Sequence, residues 1–158
     1  MNTRINYRKV MPQAMQLVDA MHDVVEQSSL GAIIMNLVYL RVSQINGCAY
    51  CIDMHSKDLH ALGETDERLY GVAAWRDTPF YTERERAALN WAEAVTLIAR
   101  THVPDDVYEA TRQHFNEAEI VELTLMVSTI NTYNRFGVAF RTVPGSYVSK
   151  LRPLLVQG

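Results

Sequence analysis

Residues 46–55 read Asn46-Gly47-Cys48-Ala49-Tyr50-Cys51-Ile52-Asp53-Met54-His55 and join two predicted helices. Asn46-Gly47 is typical of a helix end, and the next helix is predicted to begin at the first cysteine. The chain has only two cysteines, and both lie here in a CxxC spacing, with a histidine one turn after the second. At about 100° per residue, Cys48, Cys51 and His55 fall at roughly 0°, 300° and 340° on one narrow stripe of that helix. The spacing therefore predicts two thiols and an imidazole side by side, which is a redox arrangement.

Composition and charge indicate one globular domain spanning residues 1–158. A hydrophobic share of 48% with 21% charged residues is ordinary for a folded chain. The 15 basic residues are scattered among 18 acidic ones and the net charge is -3, which disfavours binding to nucleic acid or to a membrane surface. The most apolar stretch, residues 30–40, is too short to span a bilayer, and no signal peptide is evident. We therefore expect a cytoplasmic protein.

The rest of the chain reads as helices separated by short breaks, without an alternating strand pattern. Two segments, Thr82 to Glu85 and Asn116 to Glu119, have the capping-box form that begins a helix, and Pro104 is placed as a first helical residue. The sequence therefore predicts an all-α fold. The predicted helices cover approximately residues 12–27, 32–44, 48–63, 65–75, 82–100, 104–113 and 116–140.

The last predicted helix is apolar around its whole axis between Ile120 and Phe140. A helix of this kind must be buried on every side. It is therefore either the central helix of a monomer or a helix shared with another subunit. We favour the second interpretation, in which the protein is a homo-oligomer.

Two other roles for the cysteines compete with redox chemistry. Cys48, Cys51, His55 and His60 are ligand types that zinc accepts, but His60 falls near 120° on the helical wheel, away from the other three, so we expect no metal. Both thiols are also small enough to serve as buried apolar residues. Redox chemistry is favoured because a helix N-terminus stabilises a thiolate and His55 is placed to accept a thiol proton. A disulfide between residues three apart closes too small a loop to be a useful structural cross-link.

The run from Leu40 to Lys57 closely resembles the AhpD-like alkylhydroperoxidases of the carboxymuconolactone decarboxylase superfamily, as do residues 63–65, 73–76, 82–91 and 131–135. The resemblance covers most of the chain. It implies an AhpD-like helical bundle, with the CxxC at the N-terminus of a helix, that assembles into trimers or hexamers. It also implies reduction of alkyl hydroperoxides through a dithiol–disulfide cycle, with a dithiol or lipoyl-type protein as reductant. No cofactor fingerprint is present, and we expect none to be needed.

Carried over from this family, Cys51 attacks the peroxide, Cys48 resolves the product and His55 relays protons. The family's relay also uses a glutamate twelve residues before the first cysteine, and here that position is Asn36. An amide does not ionise, so it cannot raise the basicity of His55 as a carboxylate would. We hypothesise that Glu26, at the end of the first helix, supplies the missing carboxylate from across a helix–helix contact. The alternative is a solvated Glu26 that pairs with His22, one turn earlier, on the surface.

The leading functional interpretation is a thiol-dependent peroxidase. Because of Asn36, an oligomeric redox sensor that oxidises slowly is the main competitor. A decarboxylase or lactone-processing enzyme of the same superfamily is less favoured, since the characterised members with that chemistry do not depend on a CxxC pair. The rate of thiol oxidation distinguishes the peroxidase from the sensor, because a peroxidase must be oxidised fast and turn over with a reductant.

Overall fold

The structure is a computed structural model and describes residues 2–152 of the 158-residue chain. Every regular element in this part of the chain is a helix, which confirms the predicted all-α class. A short 3-10 helix, Val72–Asp77, lies between the fifth and sixth α-helices. The α-helices are α1 (Tyr7–Val10), α2 (Pro12–Glu26), α3 (Gly31–Asn46), α4 (Ala49–Ala61), α5 (Asp66–Gly71), α6 (Glu83–Thr96), α7 (Ile98–Thr101), α8 (Asp105–Arg112) and α9 (Glu117–Ala139).

Helix α3 is the central element, with α4, α6 and α9 packed around it. Nine of its sixteen residues are buried, because its sequence is apolar on all faces. Val38 and Val42 belong to one core cluster with side chains of α6 and α9, while Leu37 and Leu40 belong to a second cluster with α4 and α6. Full burial of one such side chain contributes roughly 1.5–3 kcal/mol. Both cores are therefore anchored on α3, and the site described below lies at its C-terminal end.

Helix α9 differs from its prediction on one face. Its inner face packs against α2, α3, α4 and α6, but Val121 and Val138 are 68% and 47% exposed. The expectation that every side is buried is therefore wrong for the single chain, since no helix in the described part covers this outer face. If α9 is shared with another subunit, apolar residues are expected on the face that the single chain leaves uncovered, as found here.

Most helix boundaries match the prediction within a few residues, and both capping boxes are present, at Thr82 with Glu85 and at Asn116 with Glu119. Three boundaries differ. The helix predicted over 82–100 breaks at Leu97, whose backbone leaves helical geometry (φ -97°, ψ 27°). Pro104 is the residue before α8 and not its first helical residue.

The third difference follows Thr65, which caps α5 as expected through the backbone N–H of Arg68. The predicted helix to residue 75 ends early and continues as a 3-10 helix, because Ala74 is non-helical (φ -121°, ψ 32°). A four-residue helix, α1, was not predicted. Its N-cap residue is Asn6, whose side chain accepts a hydrogen bond from the Lys9 backbone N–H.

The turn from α3 into α4 fixes where the cysteines lie. Gly47 ends α3 in the left-handed region (φ 67°), which glycine adopts without a steric penalty. The backbone N–H of Cys48 then donates to the Ser43 carbonyl at 3.0 Å. Because the chain reverses so tightly, Cys48 becomes the N-cap of α4 and is held against the end of α3. Across residues 2–152, none of the helices has the length and apolar character needed to cross a membrane.

Candidate active site

The CxxC motif opens α4, as the sequence predicts. Cys48 is the N-cap residue and is 1% exposed, while Cys51 lies in the first turn and is 5% exposed. Both are free thiols. The N-terminal end of a helix carries a partial positive charge, so this position favours a thiolate.

Gly137, in the last turn of α9, lets that helix pass directly over the two sulfurs. A Cβ atom at this position would lie 2.8 Å from the Cys48 Sγ and 3.9 Å from the Cys51 Sγ. The first distance is shorter than real Cβ contacts, so any larger residue would have to displace the Cys48 thiol. The sequence analysis missed this residue. A glycine inside a helix costs about 1 kcal/mol of helix stability relative to alanine. Its presence within the last predicted helix therefore indicated that another group packs closely against it.

The two thiols ionise in sequence. Interaction with the Cys51 thiol lowers the pKa of Cys48 to about 7, against the opposing effect of burial. The same interaction, together with burial, raises the pKa of Cys51. Ser43 and Asn134 lie beneath the sulfurs, where the Asn134 amide donates to the Ser43 hydroxyl at 3.1 Å, and both oppose the rise at Cys51. Near neutral pH the two sulfurs therefore share one negative charge and one proton.

A cavity of about 410 Å³, called here the site cavity, lies beside Cys51. Cys51 and His55 line it and Cys48 does not, so a molecule in the site cavity meets the second cysteine of the motif. Thr142 also lines the site cavity, and its buried hydroxyl makes no hydrogen bond within the described chain. The other walls are largely aromatic or apolar, with Tyr7, Tyr39, Tyr50, Met54, Ile130 and Tyr133.

The N-terminal segment closes one side of the site cavity. Arg8 forms a two-point ion pair with Asp19 of α2 at 2.8 and 3.0 Å, and the Tyr133 hydroxyl donates to the same carboxylate at 2.7 Å. The ion pair with Arg8 holds the pKa of Asp19 below its usual range. The Tyr7 ring packs on Phe136 of α9 with centroids 5.2 Å apart. These contacts hold the N-terminal segment against the site cavity.

His55 is buried one turn after Cys51, and burial is the main reason that its pKa falls to about 3. It is therefore neutral at physiological pH. Its Nδ1 lies 3.0 Å from the Asn36 Oδ1, and the Asn36 Nδ2 donates to the Ala32 carbonyl at 2.9 Å. Because the second bond fixes which end of the amide faces the ring, His55 must carry its proton on Nδ1. The Nε2 atom is then an acceptor, as a base for a thiol proton requires.

Asn36 therefore occupies the expected glutamate position as an orienting group without a charge. The carboxylate closest to the ring belongs to Asp58, whose Oδ2 lies 3.8 Å from the His55 Nδ1. Asp58 is buried and accepts hydrogen bonds from the Tyr147 hydroxyl at 2.7 Å and the Ser149 hydroxyl at 2.6 Å. Sequence reasoning missed Asp58, although its i+3 spacing from His55 was a usable signal.

Glu26 is not brought against His55. Its carboxylate lies 3.4 Å from the His22 Nε2, as the alternative interpretation expects, and its side chain is 55% exposed. The His22 Nδ1 in turn lies 3.2 Å from the Tyr39 hydroxyl, and the Tyr39 ring packs edge-on against His55 with centroids 4.9 Å apart. Contacts through His22 and Tyr39 therefore connect Glu26 to the site.

His60, the fourth residue of the zinc alternative, is exposed at the surface and lies 3.7 Å from Asp66. Among residues 2–152, no group of three or more histidine, cysteine, aspartate or glutamate side chains is arranged to hold a metal ion.

Comparison with known proteins identifies the relatives of this chain. Residues 12–94 match the model of the carboxymuconolactone decarboxylase family. That match covers more than half of the chain and includes the CxxC motif and His55. The chain belongs to this family. It is an AhpD-like member, with an AhpD-like helical bundle and the CxxC at the start of a helix, as the sequence analysis predicted.

Two curated proteins and one solved structure are similar to this chain over most of its length. The chain is 40% identical over 139 residues to the uncharacterized protein YdfG of Bacillus subtilis, covering 88% of this chain and 95% of YdfG. It is 31% identical over 114 residues to the uncharacterized protein YnjA of Escherichia coli, covering 72% and 62%. The crystal structure of ATU0492 from Agrobacterium tumefaciens, a protein of unknown function suggested to be an AhpD antioxidant defence protein, superimposes with a TM-score of 0.89 at 44% identity, covering 92% of this chain and all of that one.

Proposed function

We propose that this protein is a thiol-dependent peroxidase that reduces organic hydroperoxides through a Cys48–Cys51 dithiol–disulfide cycle. The observation that carries the proposal is the placement of Cys51 alone on the wall of the site cavity, with Cys48 directly behind it and a neutral His55 beside it. Cys51 is the nucleophile because it can be reached from the site cavity, and Cys48 is the resolving thiol because it lies next to Cys51. These are the roles that the family resemblance gives to the two cysteines.

The chemistry proceeds in two steps. The Cys51 sulfur attacks the terminal oxygen of the peroxide R–O–O–H, and its proton passes to the His55 Nε2. The O–O bond breaks, the sulfur becomes a sulfenic acid, and the alkoxide RO⁻ leaves and becomes the alcohol when it is protonated. The Cys48 thiolate then attacks the Cys51 sulfur, a disulfide forms, and the departing hydroxide takes the proton from His55 to become water. Sulfur loses two electrons to the peroxide oxygens in the first step. The pKa of Cys48 in the reduced protein, lowered to about 7 by the Cys51 thiol, means that much of Cys48 is already a thiolate near neutral pH before the cycle begins.

The walls of the site cavity favour organic peroxides. A site of about 410 Å³ is far larger than hydrogen peroxide needs, and its aromatic and apolar lining desolvates a hydrocarbon group well. Glu26 contributes through His22 and not by direct contact with His55.

The cycle needs a reductant, and the burial of Cys48 limits which kind can serve. A slender dithiol such as a lipoyl group fits through the site cavity to the Cys51 sulfur of the disulfide, whereas a folded protein surface does not reach it. The proposed partner is therefore a dithiol or lipoyl-type protein. Assembly of several copies through the uncovered face of α9 belongs to the same proposal.

Steady-state turnover tests this proposal. Purified protein is mixed with cumene hydroperoxide and reduced lipoamide, and peroxide loss is followed in parallel for wild type and Cys51→Ser. Sustained catalytic consumption by wild type and none by Cys51→Ser is the expected result. Peroxide loss at the rate given by reduced lipoamide alone would refute the peroxidase.

A slow redox sensor is the second candidate, and Asn36 is the observation that favours it. Without a charged partner, His55 is a weak base, so oxidation of Cys51 could be slow enough to report peroxide without removing it. A sensor would form the Cys48–Cys51 disulfide once, with stoichiometric peroxide, and would show no turnover in the same assay.

A further inference from the structure

The proposed first step leaves an alkoxide that needs a proton, and His55 is not free to give one. Attack on a peroxide is in line, so the leaving oxygen departs on the side away from the Cys51 sulfur. His55 holds its Nδ1 proton towards Asn36. In the proposed mechanism its Nε2 takes the proton of Cys51 in the first step and gives it to hydroxide in the second. A separate donor must therefore line the site cavity.

The geometry points to Tyr39 as the acid that protonates the leaving alkoxide, with His22 and Glu26 as its route to solvent. This inference rests on the proposed peroxidase function. Tyr39 belongs to α3, the helix that faces the CxxC helix, and it lines the site cavity together with Cys51. Its hydroxyl lies 3.2 Å from the His22 Nδ1, and the His22 Nε2 lies 3.4 Å from the exposed Glu26 carboxylate.

Proton transfers balance along the row of side chains from Tyr39 through His22 to Glu26. When His22 is protonated on both nitrogens, Nε2 donates to Glu26 and Nδ1 donates to the Tyr39 oxygen, which directs the phenol proton into the site cavity. The alkoxide takes the phenol proton, the Tyr39 oxygen takes the Nδ1 proton, and His22 is left neutral. His22 is partly exposed and regains its proton from solvent. No oxidant or reductant is needed beyond the peroxide and Cys51.

Other tyrosines of the site cavity lack this connection. The Tyr133 hydroxyl is committed to Asp19 at 2.7 Å, in the contacts that hold the N-terminal segment. Burial raises the pKa of Tyr39 well above its usual range, so its phenol stays protonated at neutral pH until a strongly basic alkoxide is formed beside it.

Leaving-group dependence tests the role of Tyr39 directly. Reduced wild type and Tyr39→Phe are mixed in stopped flow with tert-butyl hydroperoxide, which releases a strongly basic alkoxide, and with peracetic acid, which releases a carboxylate that needs no proton. Tyr108→Phe, a hydroxyl deletion outside the site cavity, is the matched control. Alkylation of the thiols by iodoacetamide, whose leaving group needs no proton, reports whether Tyr39→Phe keeps the site intact.

We expect Tyr39→Phe to lose about 10²-fold with tert-butyl hydroperoxide and less than about 3-fold with peracetic acid and iodoacetamide, since general acid catalysis is worth roughly 10²–10⁴-fold. Equal losses with all three reagents would show a structural role and overturn the inference, as would no loss with any of them. If wild type itself reacts with tert-butyl hydroperoxide no faster than a small free thiol, the peroxidase proposal fails, and the role of Tyr39 fails with it.

Discussion

Replacing Asn36 with glutamate is expected to speed the reaction of Cys51 with peroxide by restoring a charge beside His55. The Asn36 Oδ1 lies 3.0 Å from the His55 Nδ1, so a side chain one methylene longer reaches the same atom with a small adjustment. The substitution removes the hydrogen bond from Asn36 to the Ala32 carbonyl, which costs about 1 kcal/mol of stability. The fold tolerates a loss of this size, because domains are stable by about 5–15 kcal/mol.

The size of the effect follows from the charge and the distance. Two unit charges about 4 Å apart at an effective dielectric constant of about 20 interact by about 4 kcal/mol, or about 3 pKa units. The pKa of His55, about 3 with its present neutral partner, would rise to about 6 by that amount. If about half of the gain in basicity is expressed in the rate, Cys51 oxidation becomes roughly 30-fold faster.

Stopped-flow oxidation with cumene hydroperoxide measures this rate, and Asn36→Gln is the matched control. The glutamine has the same length as the glutamate and loses the same bond to Ala32, but it carries no charge. We expect Asn36→Glu to exceed Asn36→Gln by roughly 30-fold, with a parallel rise in the pKa of His55 in an NMR titration. Equal rates for the two variants, with a raised His55 pKa in the glutamate variant, would refute the assignment of His55 as the base.

Three further predictions follow from the contacts around the thiols. The thiolate absorbance of the reduced protein should titrate with a midpoint near pH 7. Cys51→Ala should raise that midpoint, because the contact with Cys51 that lowers the pKa of Cys48 is lost. An unchanged midpoint would contradict a negative charge shared between the two sulfurs. Gly137→Ala, which places a Cβ 2.8 Å from the Cys48 Sγ, should slow disulfide formation at least 10-fold while leaving the helix content unchanged; normal closure of the disulfide would show that α9 yields there. The pKa of His55 is lowered by folding, from 6.5 to about 3, so the unfolded chain binds a proton first and stability is lost as pH falls through that window. Between pH 7 and 5 this amounts to about 2 kcal/mol in urea unfolding, and His55→Gln should remove that part of the pH dependence.

The all-α class and the position of the CxxC were predictable because their signals are local. The capping boxes at Thr82 and Asn116, the Gly47 turn and the i+4 step from Cys51 to His55 each lie within a few residues of sequence. Such short-range patterns determine where a helix begins and which side chains share a face. The family resemblance added the roles of the two cysteines, which spacing alone left open.

The features that were missed depend on contacts between distant residues. Gly137 meets Cys48 across 89 positions of sequence, and Tyr147 reaches Asp58 across 89 as well. No periodicity encodes such a meeting, since it depends on how helices pack. Glu26 illustrates the difference between local and distant contacts. Its pairing with His22 was predictable from the i+4 spacing, whereas its connection to the site through Tyr39 depends on how α2 packs on α3.

The most direct test of the central claim is to locate the first oxidised sulfur. Reduced wild type, Cys48→Ser and Cys51→Ser are mixed with cumene hydroperoxide, quenched within milliseconds in the presence of a sulfenic acid trap, and examined by mass spectrometry. The predicted result is a disulfide in wild type, a trapped sulfenic acid on Cys51 in Cys48→Ser, and no rapid oxidation of Cys51→Ser. A sulfenic acid that forms rapidly on Cys48 in Cys51→Ser, with Cys51 unreactive in Cys48→Ser, would contradict the account.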